Sequence, residues 1–317
     1  MTPTTTARLL VAGDIEADKF LPEGPRLATV LGRDALLWVN IQTAPDAVRG
    51  SIHAYFFDSR ERRRWTLPAR PGFVFPTDAP NTVFVGLEKA VGTLNLATGL
   101  WTPFATLPDT NPRTIINDGE IVPGGRAVVF GTKDITFTEP IGHLYLFTLA
   151  DHQLSMLAPG QTCSNGKVFA DGGRTLYDID TPRRVVTKYR FNVENRELFE
   201  AGIAVDLRSH EAFPDGMCDA GDGTVIVAFY NPHRGGAGVA EQYRLGTGEL
   251  LHRWETPGSP RVTCPLLAQR PDGVKLILTT ATEGMPATLR ADSPHAGQIF
   301  VADTVFPEAP AAEIVRL

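Results

Sequence analysis

The stretch FPDGMCDAGDGTVIVAFY, residues 213–230, carries the pattern that decides the fold. A Pro-Asp-Gly step leads to a Gly-Asp-Gly turn, and the turn releases into an apolar strand rich in β-branched residues. The same order recurs along the chain. Anchoring each repeat on an apolar residue just after its turn gives Leu36, Val83, Val128, Leu176, Ile226 and Leu276, at spacings of 47, 45, 48, 50 and 50 residues. A period from the forties to about 50 marks propeller blades, in which each four-stranded sheet must bury its faces on its neighbours. Six repeats predict one all-β domain over residues 1–317, a six-bladed β-propeller of four-stranded antiparallel blades.

Strand-like runs fill the repeats: LLWVNI at 36–41, SIHAYFF at 51–57, TVFVGL at 82–87, HLYLFTL at 143–149, TKYRFN at 187–192, TVIVAFY at 224–230 and QIFVAD at 298–303. Their aromatic and β-branched residues suit a pleated, half-buried surface. Helical periodicity is scarce, and residues 286–291 read as a loop or a single turn. A ring needs closing, because an open propeller leaves an edge strand with unpaired backbone groups. The short apolar segments ARLLVAG at 7–13 and EIVRL at 313–317 are expected to meet in one composite blade.

Hydrophobic residues make up 43 % of the 317, enough for a substantial core, and the net charge is −6. No long basic run occurs beyond Arg62, Arg63 and Arg64, which argues against a nucleic-acid partner. No segment reaches the roughly 20 apolar residues of a membrane-spanning helix and no leader pattern opens the chain, so a cytoplasmic protein without a membrane partner is expected. Cys163, Cys218 and Cys264 form no even set and no CxxC spacing, which predicts reduced thiols rather than disulfides or a thiolate zinc site.

Counting back 11 residues from the anchors reaches Asn117, Asn165 and Asp215, and Glu23 lies 13 back from Leu36 behind a turn that reads as longer. The same count lands on Gly72 in the second repeat and Pro265 in the sixth, positions expected to leave room for substrate. Equivalent positions of a ring converge on its axis. Two carboxylates and two amide oxygens form an all-oxygen set that suits a hard divalent cation. Asn-Gly and Asp-Gly are also common turn dipeptides, and it is the shared repeat phase that favours ligands over turns. Asp118 reads equally as a group supporting Asn117 or as the acidic residue of the turn.

The segments LPEGP at 21–25, INDGEIVPGGR at 116–126, CSNGKVFADGGRTLYDIDTP at 163–182 and FPDGMCDAGDGTVIVAFY at 213–230 resemble the gluconolactonase, regucalcin and senescence-marker-protein family of six-bladed propellers. PRVTCPLLAQRPDGVKLILTTATEGM at 260–285, followed by AGQIF, is similar to the last blade of bacterial sugar lactonases in that family. The resemblance implies one divalent cation in the central channel, held by Glu23, Asn165 and Asp215. Asn117 then lies beside it, touching the metal, its water or the substrate. Calcium is the first expectation; zinc, magnesium, manganese and iron are the others associated with such enzymes. The activity implied is hydrolysis of a small lactone, mostly of sugar acids; that step needs a base for the attacking water, and Asp215, a ligand able to reach it, is the candidate.

This chain departs from that pattern in places. The Arg that the family carries two residues before the NDG Asn is Ile115 here, and the nearest substitute is Arg113. Arg113, Asn117 and Asp118 are the expected substrate contacts. Without a suitable Arg the substrate is expected to be less polar than an ordinary aldonolactone. No aromatic follows the EGP step, and Asn40 stands where an Asp is frequent. A serine hydrolase finds no GxSxG elbow. The seven histidines are scattered, with His143, His233 and His295 nearest to predicted loops, alongside Glu139, Tyr230 and Asn231. Other metal-dependent hydrolysis, such as ester or organophosphate cleavage, and a non-catalytic metal-binding propeller are the competing readings. A closed ring is compatible with a monomer or a small homo-oligomer acting on a small molecule.

Overall fold

Along the strand Arg33–Asn40, Leu36 and Trp38 pack toward one neighbouring sheet while Leu37 and Val39 pack toward the other. Successive side chains of a strand point to opposite faces, so a run that is apolar throughout must be covered on both. That requirement is met six times over in the computed structural model, which describes residues 2–317. Blade one contains Pro22–Val30, Arg33–Asn40, Ser51–Phe56 and Arg62–Thr66, and blade two runs from Pro71–Pro76 to Trp101–Thr106. Blade three runs from Thr114–Ile121 to Gln153–Gln161, blade four from Ser164–Ala170 to Glu197–Asp206, and blade five from Phe213–Asp219 to Leu250–Thr256. Val262–Arg270, Gly273–Thr280 and Ile299–Asp303 belong to blade six. One cluster of buried apolar side chains fills each of the six interfaces between neighbouring blades. The fold is a six-bladed β-propeller.

The beginning of the chain closes the ring. Arg8–Val11 pairs antiparallel with Ile299–Asp303 and gives blade six its outer strand, while Thr4–Thr6 adds in parallel to Leu250–Thr256 of blade five. The composite blade is therefore present, but its C-terminal partner is not EIVRL. Residues 313–317 dock elsewhere: Val315 bridges Thr77 in parallel, and the Arg316 N–H donates to Gly125 O. Fully buried Val315 joins the core between blades two and three, which explains the apolar character of that segment. Residues 286–291 contain the single helical turn Ala287–Arg290. Among the described residues no helix is long and apolar enough to cross a membrane.

All six inner strands break register at the same depth. The ladder jumps between Glu23 and Arg26, Pro71 and Phe73, Ile116 and Gly119, Ser164 and Lys167, Pro214 and Met217, and Val262 and Pro265. Such bulges re-aim the side chains they contain. In blade two the bulge is Gly72, where a Cβ would lie 2.2 Å from Asn117 O. Its backbone is occupied by the neighbouring strand and leaves no room for substrate. In blade six Leu267 pairs with Leu276 just as Leu27 pairs with Leu36, so the count that finds Glu23 finds Thr263, not Pro265. The Thr263 hydroxyl donates to Pro22 O at 2.7 Å and stitches blade six to blade one.

At the far ends of the inner strands lies a cavity of about 450 Å3, bordered by Arg26, Glu120, Lys167 and residues 308–313 of the C-terminal tail. Arg26 donates to Glu120 at 2.8 Å within it.

Candidate functional site

The bulges bring Glu23, Asn117, Asn165 and Asp215, from blades one, three, four and five, to the wall of one cavity of about 430 Å3 at the near end of the ring. Each is held by local chemistry. Asn40 fixes the approach to Glu23 by accepting the Leu21 N–H on Oδ1 and donating from Nδ2 to Ala17 O. An Asp there could not donate, which accounts for the amide. Asp180 accepts the N–H groups of Thr162 and Cys163 at 3.1 and 2.7 Å and so sets the entry to Asn165.

The two amides are oriented by one network. Asn117 Nδ2 donates to Ser164 O at 2.7 Å and to Asn165 Oδ1 at 2.9 Å. Asn165 Nδ2 donates to Thr181 Oγ1 at 2.7 Å, and that hydroxyl donates to Pro214 O just before Asp215. Asn117 Oδ1 is left buried without a hydrogen-bond partner. Burial pushes Glu23 well above the usual carboxylate range, and the Asp215 and Asp118 charges add to it against the Gly24 N–H and Lys133. Burial likewise raises Asp215, opposed by Lys133 and reinforced by Asp118 and Glu283. Two carboxylates that repel one another beside an unsatisfied amide oxygen form a donor set that suits a divalent cation. Among the described residues no three His, Cys, Asp or Glu side chains gather at ligand spacing, because half of this set is amide.

Other expected site residues lie elsewhere. Arg113 does not line the cavity; its guanidinium bonds Asp134 through Nε and Nη2 at 3.2 and 2.7 Å and Glu139 through Nη1 at 2.9 Å. Burial raises the Asp134 carboxyl, but the bonds from Arg113 and from Thr136 and Thr138 outweigh it and hold the group far below the carboxylate range. Asp134 thereby anchors the loop carrying Phe137, a cavity residue in the left-handed region at φ 56°. Asp118 is not among the cavity-lining residues, although its charge acts on Glu23 and Asp215, and its Oδ1 accepts the Gly119 N–H at 2.7 Å. His143, His233, His295, Asn231 and Glu139 are not part of the lining, whereas Tyr230 is. The three cysteines are free, and Cys163 lies on the cavity wall with its thiol pushed up by burial.

Two residues with no motif to announce them complete the wall. Lys133, in the strand beside Asn117, enters the cavity almost fully buried. Glu283 arrives on the loop after the second strand of blade six. Buried Arg261 gathers this side by donating to Glu283 O, to Tyr230 Oη at 3.2 Å and to Pro232 O at 3.4 Å. Leu21, Ile41, Phe137, Phe213 and Tyr230 make the remaining surface largely apolar.

Residues 21–282 match the family described as the SMP-30/Gluconolactonase/LRE-like region. An L-arabinolactonase of Azospirillum brasilense is 30 % identical over 277 residues, covering 85 % of this chain and 84 % of that one. A putative sugar lactone lactonase of Rhizobium meliloti is 27 % identical over 289 residues, 90 % of each chain. The crystal structure of regucalcin from Agrobacterium tumefaciens, a calcium-binding protein, superposes with a TM-score of 0.80 at 20 % identity over 99 % of this chain and all of the other, a likeness of fold. This propeller belongs to the SMP-30/gluconolactonase/LRE-like family.

Proposed function

We propose that this chain opens a small lactone ring with one divalent cation, calcium first, held by Glu23, Asn117, Asn165 and Asp215. Family membership and the two lactonase relatives support the lactonase role. The observation that carries the cation is the meeting of two buried, mutually repelling carboxylates with the unpartnered Asn117 Oδ1 on one wall. When bound, such a cation supplies a Lewis acid for the lactone carbonyl and eases deprotonation of water. The chain's own groups do the rest. Asp215, at the wall, accepts the proton of the attacking water as general base. Asn117 and Asn165 keep their oxygens in place through the shared amide network. Phe137, Phe213 and Tyr230 exclude bulk water and offer flat apolar faces to the ring.

The test is proton release over a panel of γ- and δ-lactones, with phosphotriesters and aryl esters alongside. The protein is first stripped with EDTA and then resupplied with calcium, zinc, magnesium, manganese or iron. Lactone opening that disappears with the chelator and returns with one of these ions is expected. Activity unaffected by the chelator, or confined to the esters, rejects the proposal.

A further inference from the structure

Lys133 lies directly across the ladder from Ile115, in the strand Ala127–Asp134, and only 4 % of it is exposed. It shares the cavity with Glu23, Asn117, Asn165 and Asp215. Its one directed contact is with an aromatic face: Nζ stands 5.3 Å from the centre of the Phe137 ring. Among the described residues its ammonium makes no hydrogen bond and no ion pair. An ammonium carries three donors, and Nζ is not among the buried polar atoms without a partner, so these donors open onto the cavity itself.

The hydroxyl and amide donors around it are already committed. Tyr230 Oη donates to Glu283 O at 2.6 Å, Thr181 Oγ1 to Pro214 O at 2.9 Å, and both Asn117 and Asn165 spend their Nδ2 groups within the wall. A molecule entering the cavity therefore finds Lys133 as the side-chain donor still open. What it offers to Lys133 is constrained by charge. Glu23, Asp215 and Glu283 already face this space, so a further carboxylate on the ligand meets repulsion that a neutral oxygen avoids.

We propose that Lys133 is the specificity residue of the cavity: it receives hydroxyl oxygens on the lactone ring while Phe137 covers the ring's apolar face, so hydroxylated lactones are preferred over plain ones of the same ring size. The proposal rests on the lactonase reading above. It restores a polar partner at the end of the site where Ile115 offers none, and replaces the expectation of a less polar substrate.

The experiment compares wild type with Lys133→Met on a hydroxylated γ-lactone and on unsubstituted γ-butyrolactone, in calcium. One charge-assisted hydrogen bond predicts that the preference for the hydroxylated over the plain lactone, read as the ratio of their kcat/KM values, falls about 10–100-fold, on top of any loss the two share because Lys133 also opposes the raised carboxyls of Glu23 and Asp215. Lys133→Arg should recover part of the loss, and Lys133→Gln provides a second polar variant if the Met protein folds poorly. An equal loss on both lactones, or no loss on either, overturns the proposal, since a residue that only balances the carboxylates would not tell the rings apart. Calorimetry with the corresponding γ-lactams, which keep the ring but resist opening, separates this from the lactonase reading. If wild type opens neither lactone, that reading fails; Lys133 still stands if Lys133→Met weakens only the hydroxylated lactam, by tenfold or more, and falls if both lactams bind the two proteins alike.

Discussion

Asn117 donates from Nδ2 to Asn165 Oδ1 at 2.9 Å, across the boundary between blades three and four. The bond decides which way the Asn117 amide faces and leaves its Oδ1 without a partner. Replacing Asn117 by Ala removes that oxygen and releases Asn165. Calcium binding, followed by calorimetry, should weaken on the order of 10–100-fold. Unchanged affinity would remove Asn117 from the ligand set.

The proposed function gives Asp215 both a ligand's position and a base's role. Asp215→Asn keeps the shape and deletes the charge, so kcat should fall on the order of 10²–10⁴-fold. In EDTA the same variant should melt no lower than wild type, because burial and the neighbouring acids make that charge a burden on the metal-free fold. A variant with near-normal turnover would exclude the role of base.

The two ends of the chain do different work, and truncation should separate them. Removing residues 2–12 strips the outer strand from blade six and opens the ring, for which a fall in melting temperature on the order of 10 °C is expected. Removing residues 314–317 takes away Val315 but leaves every blade paired, at a cost of roughly 1–3 kcal/mol. Differential scanning calorimetry of the two truncated proteins checks the order. Equal losses would contradict closure by the N-terminal strand.

His53 supplies a pH signature remote from the cavity. It stacks on Trp38 with ring centres 5.2 Å apart and shares a 2.8 Å hydrogen bond with Ser51 Oγ. Burial, with some help from Arg64, pushes its pKa down to about 3. The unfolded imidazole titrates near 6.5, so the folded state binds its proton more weakly. This contribution is complete above about pH 6.5 and is lost as the pH falls toward 3, at about 1.4 kcal/mol per unit within that window. Urea unfolding of His53→Gln should show a shallower loss of stability between pH 6 and 4 than wild type; identical slopes would mean that His53 is protonated in the fold.

The blades and four of the axial residues were legible because both follow local chemistry that repeats: a Gly-containing turn, an apolar strand, and an oxygen side chain ahead of it. Glu23, Asn117, Asn165 and Asp215 do reach one cavity. Counting failed at Pro265 because it passed through a turn, and the turn between the paired residues Leu267 and Leu276 is two residues longer than that between Phe169 and Leu176 in blade four. Arg113 was misplaced for another reason. Sequence distance from Asn117 cannot reveal that buried Asp134 captures the guanidinium first. Lys133 was invisible because cross-strand neighbours are adjacent only once the hairpin forms, and a lone Lys inside AVVFGTKD has no motif. The docking of residues 313–317 was equally hidden, since an apolar pentapeptide does not say which face it covers.

The tail that borders the far cavity also bears on traffic. Residues 308–313 and the Arg26–Glu120 pair border the far cavity, which shares no lining residue with the near one, so the ring holds two recesses at opposite ends. Under the proposed function the hydroxy acid formed in the near recess occupies the surface of Phe137, Phe213 and Tyr230 that the next lactone needs. Initial rates measured with added product should accordingly show competitive inhibition, and a noncompetitive pattern would mean that the product also binds outside the near recess.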